Sequence, residues 1–134
     1  MLPLSDFAIF SRPGLLALGA GIEAALQRAC ALGAGHAGVT LGAQGSAWCR
    51  RGESVRRMPA FDIEAVDTTG AGDAFHGAFA LAAAEGGDPQ EAIRFASAVA
   101  AMKCRAAGGR AGLPRRAEVA AFLAAHAAVR QAAS

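Results

Sequence analysis

The stretch Asp67-Thr68-Thr69-Gly70-Ala71-Gly72-Asp73-Ala74-Phe75 constrains the architecture more than any other part of the chain. Two glycines lie between carboxylates, and the alanine-rich run that follows, Ala74 to Ala84, has the composition of a helix. A turn that feeds a helix N-terminus gathers unpaired N–H groups and the positive end of the helix dipole in one place. Gly70 and Gly72 carry no Cβ, so an anion can approach the backbone closely, and the combination suits a phosphate or oxyanion. Asp73 would repel a bound phosphate. It fits better as a base beside a transferring phosphoryl group, taking the proton of an attacking hydroxyl while the N–H groups stabilise developing charge. The plainer alternative is that Asp73 only caps the helix.

The rest of the chain supplies a layered α/β context. Asp6 to Phe10 and Ala37 to Leu41 are short apolar runs that read as buried strands. Between them, Ser11-Arg12-Pro13-Gly14 breaks the first strand, Leu15 to Leu18 makes a helical turn, and Gly21 to Ala31 has the spacing of an amphipathic helix. Gly45 to Arg50 and Ser54 to Met58 form a hairpin around Arg51-Gly52. After the central motif, Gly86-Gly87 stops the first motif helix. Asp88-Pro89-Gln90-Glu91 starts a helix that runs to about Ala106. Gly108 to Pro114 is a loop, and Arg115 to Val129 is a last helix with His126 on its face. This order predicts one α/β domain over residues 1–134, with a largely parallel sheet and helices packed on it.

Several chemistries find no support. Gly19-Ala20-Gly21-Ile22-Glu23-Ala24 matches the dinucleotide fingerprint, but no acidic residue lies between Glu23 and Glu53 to hold a ribose. The string G-x-x-x-x-G-K-[ST] is absent. His36, His76 and His126 stand without metal-ligand spacing. Net charge is +2, which argues for neither nucleic acid nor a membrane surface as a partner. Arg50, Arg51, Arg56 and Arg57 read as a solvated hairpin edge. Cys30, Cys49 and Cys104 are far apart in sequence, a reduced cytoplasmic pattern. The start of the chain reads as carrying no secretion signal, and no apolar run is long enough for a bilayer span.

The string from Asp67 to Phe75, followed by Gly77, closely resembles the C-terminal signature of the ribokinase-type (PfkB) carbohydrate kinases. Two further segments resemble the family. Val39-Thr40-Leu41-Gly42-Ala43-Gln44-Gly45 is similar to the segment that lines its nucleotide pocket. Arg94 to Ala101, with Gly108, Gly112 and Pro114 after it, is similar to its penultimate helix and following loop. The resemblance implies a three-layer ribokinase-like fold, present here as its C-terminal part. It implies an ATP-dependent transfer of the γ-phosphate, with Mg²⁺, to a hydroxyl of a sugar-like small molecule. Asp73 would be the base, and the amides of Gly70, Ala71 and Gly72 the anion hole.

Thr40, Gly42, Gly45 and Ser97 would lie by the nucleotide; for Ser97, a small polar residue on a crowded alanine face is the equal alternative. Many members hold a monovalent cation, K⁺, for which the matching positions are Asp67, Thr69, Lys103, Ala106, Gly108 and Gly112, mostly through backbone carbonyls. The family's sugar-binding residues, β-strand lid and Gly-Gly motif find no match in this chain. Ser11 to Gly14 stands where an Asn/Glu motif for Mg²⁺ would fall. Homodimers in the family often form through the lid. Beside the kinase reading stands a non-catalytic nucleotide- or anion-binding remnant.

Overall fold

The computed structural model describes residues 6–108 and 112–133, with the side chains of the last helix described as far as residue 127. Residues 109–111 of the expected loop, and the first five residues, lie outside it. Where the sequence suggests one domain, the contacts divide the chain into two compact units, Met1–Ala60 and Phe61–Ser134.

The first unit is a four-stranded sheet with two helices. Strand β1 is Phe7–Ser11, helix α1 Arg12–Leu16, helix α2 Ile22–Ala31, and strands β2, β3 and β4 are His36–Thr40, Ser46–Arg50 and Arg56–Met58. Sheet order is β1-β2-β3-β4. β1 runs parallel to β2, with Phe7 opposite His36 and Ser11 opposite Thr40. β2–β3 and β3–β4 are antiparallel. The expectation of a largely parallel sheet is therefore corrected to a mixed one. The reason is connection length: β2 reaches β3 through a 3₁₀ turn at Gly42–Gln44, and β3 reaches β4 through a short loop. Such connections only join antiparallel neighbours, whereas the β1–β2 crossover has the helices of a parallel link.

α2 forms because its apolar residues recur on one face. Ala25, Leu26, Ala29 and Cys30 are buried, and with Leu15, Ala37, Val39, Ala47 and Cys49 they build the core of this unit. Burying a side chain the size of Leu26 contributes about 1.5–3 kcal/mol, far more than any alanine here. α1 begins at Arg12, where a break was expected. Pro13 sits in its first turn, where a missing N–H costs nothing. The arginines of the hairpin are exposed, as a solvated edge requires, but they have local partners. Arg51 donates to the carbonyls of Gly33 and Ala34, Arg57 lies 3.7 Å from Glu23, and Arg56 stacks over Trp48.

The second unit is helical. α3 is Ala71–Ala84, α4 Pro89–Cys104 and α5 Arg116–Ala133. α3 packs along α4, and α4 packs on α5. The core comprises Ala98, Val99, Val119 and Phe122, with Phe61, Ala74, Ala78 and Phe95 against it. Pro89 opens α4 as the sequence indicated, although the Asp88 side chain makes no capping bond. At the start of α5 the Arg115 N–H donates to the Glu118 carboxylate at 2.7 Å, half of a capping box. His126 is half-buried, its Nδ1 2.8 Å from the Phe122 carbonyl and its ring against Phe61 and Phe122.

Gly45 shows how tightly the β3 entry is built. Its φ is +89°, and a Cβ there would lie 2.0 Å from the Met58 carbonyl oxygen and 2.7 Å from the Ala60 nitrogen. Gly45→Ala is expected to destabilise the chain by about 3 kcal/mol or more, read as a lower urea midpoint. A midpoint within error of the parent would show that the β4 segment moves freely.

Candidate active site

The structure moves the start of the motif helix. The N-cap is Gly70, in the left-handed region at φ +75°, and the first helical residue is Ala71. Gly72 and Asp73 are therefore inside the first turn. Asp73 occupies the third helical position instead of serving as the cap. At such a position the amides of residues 71 to 73 have no intrahelical acceptor. The Ala71 N–H donates to the Thr68 carbonyl at 3.1 Å, which closes the turn. Both glycines have open space where a Cβ would stand. The helix end, its dipole and an exposed carboxylate thus come together within four residues.

Asp67 fixes this turn. Its carboxylate accepts the Thr69 N–H at 2.9 Å and the Gly108 N–H at 3.0 Å, joining two segments 41 residues apart in sequence. The backbone on either side is held as well. The Val66 and Asp67 N–H groups both donate to the Cys104 carbonyl, at 2.7 and 3.1 Å. Lys103 is 1% exposed, and its Nζ donates to the Asp67 carbonyl at 3.2 Å. The hydrogen bonds from Thr69, then that from Gly108, and the charge of Lys103 hold the Asp67 carboxyl down at about 2.

Backbone carbonyl oxygens border the same loop. A Cβ at Gly112 would meet the Lys103 carbonyl oxygen at 3.1 Å and that of Ala106 at 3.6 Å, so glycine keeps a cradle open beside them. Asp67, Lys103, Ala106, Gly108 and Gly112 are brought together here, but Gly108 offers Asp67 its N–H and Lys103 adds an ammonium. An oxygen-rich set of this kind fits a hard cation. Among the described residues, no three His, Cys, Asp or Glu side chains meet at a metal-binding distance.

A cleft of 510 Å³ runs beside Asp73. It is lined by Gly77 and Leu81 of α3, Phe95 and Val99 of α4, and Leu113 and Arg116. Arg116 is engaged by Glu85 through two bonds of 2.6 and 3.0 Å, which lowers the Glu85 carboxyl below its ordinary range. The Ser97 hydroxyl bonds its own helix at the Ile93 carbonyl, 2.7 Å away, as a small polar residue on an alanine face would. In the first unit Thr40 ends β2, Gly42 opens the 3₁₀ turn at φ +59°, and Gly45 closes it.

The family model described as pfkB family carbohydrate kinase matches residues 1–116. The chain belongs to the pfkB family. This family member is 41% identical over 97 residues to a ribokinase of Bacillus subtilis, which covers 72% of this chain and 33% of that protein. The structure of Arabidopsis thaliana ribokinase complexed with ribose and ATP is 31% identical, with a TM-score of 0.82, covering 91% of this chain and 42% of that one. A double mutant of fructokinase from Vibrio cholerae, bound to fructose, ADP and potassium ion, is 28% identical, with a TM-score of 0.81 and coverage of 91% and 42%. The chain thus spans about a third of the curated relative's length. No helix among its described residues is long and apolar enough to cross a membrane.

Two features of this pfkB family chain lay outside sequence reasoning. The cleft wall at Gly77, Leu81, Leu113 and Arg116 joins positions from separate helices, with only Gly77 inside the signature. The Lys103 side chain gave no signal beyond being the chain's one lysine.

Asp67 titrates about two units below its ordinary value of 3.8, at about 2. Its contribution to stability is therefore complete above the ordinary value and lost as pH falls through about 2. Asp67→Asn should lower the urea midpoint at neutral pH and flatten its fall between about pH 4 and pH 2. An acid profile as steep as the parent's would assign the titration to another group.

Proposed function

We propose that this chain is the C-terminal, nucleotide-side part of an ATP-dependent kinase that phosphorylates a hydroxyl of a sugar or related small molecule. One observation carries the reading: Asp73 stands in the first turn of a helix that starts directly after the left-handed Gly70 of the signature turn. Asp73 acts as general base, removing the proton of the acceptor hydroxyl as that oxygen attacks the γ-phosphorus of ATP. The amides of Gly70, Ala71 and Gly72, with the helix dipole, stabilise the charge on the transferring group. Magnesium would supply the positive charge that offsets the nucleotide phosphates, as the ATP- and Mg²⁺-bound ribokinase II neighbour suggests.

Thr40, Gly42, Gly45 and Ser97 are assigned to nucleotide contacts. The ATP carried by the Arabidopsis ribokinase structure supports ATP as the nucleotide. Potassium, present in the Vibrio fructokinase structure, would be held by Asp67, Thr69, Lys103, Ala106, Gly108 and Gly112. There it would steady the turn that carries the amides. The acceptor is sugar-like, as the ribose of the Arabidopsis structure suggests. The reading places the chain in the cytoplasm, involves neither nucleic acid nor membrane, and is compatible with a homodimer.

Calorimetric titration with MgATP, with and without K⁺, tests the nucleotide and cation assignments. Saturable binding strengthened by K⁺ is expected. Steady-state ADP formation with ribose and related sugars tests transfer, and Asp73→Asn should reduce it by about 10²–10⁴-fold while MgATP binding persists. Equal turnover by the variant would remove Asp73 from the base role. Binding without any transfer would favour the non-catalytic nucleotide-binding alternative.

A further inference from the structure

Cys30 and Cys49 meet inside the first unit. Their sulfurs are 3.7 Å apart, both residues are buried, and the Cys30 Sγ also approaches the Cys49 carbonyl at 4.0 Å. Cys30 lies on the buried face of α2, and Cys49 lies on β3 opposite Ala37. They share one apolar cluster, so no polar network explains two adjacent thiols there. A cavity of 520 Å³ reaches the pair, lined by Gln27, Cys30, Cys49, Arg50, Arg51 and Glu53. Cys104 belongs to the second unit.

We propose that Cys30 and Cys49 form an oxidisable dithiol, a covalent modification site that closes to an intramolecular disulfide by exchange with a small anionic disulfide entering through this arginine-rimmed cavity. The chemistry balances in two exchanges. The Cys30 thiolate attacks one sulfur of the small disulfide, breaking its S–S bond, and the departing thiolate takes up a proton. The Cys49 thiolate then attacks the Cys30 sulfur of the mixed disulfide and releases the second small thiol. Two protein thiols are oxidised, and one small disulfide is reduced to two thiols. Cys30 is the first nucleophile because it is the more exposed of the two, at 4% against 1%.

The sulfurs must close from 3.7 Å to about 2.0 Å, a shift within reach of side-chain rotation. Burial, then the contact with Cys30, pushes the Cys49 thiol up to about 12. The second exchange is therefore slow at neutral pH and accelerates as pH rises.

The whole chain, folded, is incubated with oxidised glutathione at a series of pH values, quenched in acid, unfolded and alkylated with N-ethylmaleimide. Intact mass should show one alkylation in place of three. The tryptic peptide 29–50, which contains both cysteines and no internal Arg or Lys, should be lighter by two hydrogens. The rate should rise with pH, and dithiothreitol should restore three alkylations. Cys104→Ser should close the same bridge, while Cys30→Ser and Cys49→Ser should not. The urea-unfolded chain should give mixed pairings where the folded chain gives one. Three alkylations throughout, a product that stops at the glutathione adduct, or a bridge to Cys104 in the folded chain would each overturn the assignment.

Discussion

A single carboxylate organises the second unit of this chain. Asp67 sits before the motif turn and accepts one amide from that turn and one from the loop after α4. Its own backbone is pinned to the end of α4 through Cys104 and Lys103. Without it, the Thr69 and Gly108 amides would compete for water, and the motif turn would lose its carboxylate tie to the loop after α4. The start of α3 is placed by this carboxylate as much as by its glycines. The lowered pKa of Asp67 is the electrostatic signature of that arrangement.

Asp67 and Asp73 divide two tasks between them. Asp67 is committed to backbone donors and holds shape. Asp73 is exposed at the third helical position, beside a cleft with an apolar wall. Under the proposed role, a base has to be free to accept a proton while a strut has to be saturated, and the two carboxylates of one short motif differ in that respect.

Much of this was legible in the sequence, for identifiable reasons. Asp88-Pro89 announced α4 because a proline can occupy only the first turn. The spacing Leu26, Ala29, Cys30 announced α2, and Arg51-Gly52 announced the hairpin. Other features resisted. Gly70 and Gly72 look alike in sequence, yet only Gly70 is left-handed while Gly72 is helical, so the helix starts three residues before its alanine run. Pro13 and Gly14 looked like a break and instead open α1, because their neighbours pack on the sheet. The hairpin implied antiparallel pairing, and with so few strands those pairings outnumber the parallel one. The Asp67–Gly108 tie and the meeting of Cys30 with Cys49 depend on contacts between distant segments, which local periodicity does not encode.

The chain contains one lysine, and that lysine is Lys103, 1% exposed and bonded to the Asp67 carbonyl. All other side-chain cations are arginines, which amine-directed chemistry does not attack. In the folded state, acetyl transfer, isopeptide tagging and activated-ester dyes therefore find no accessible ε-amine. Such reagents reach one only when the end of α4 opens, so the reactivity of a single amine becomes a direct count of how often the motif turn comes undone.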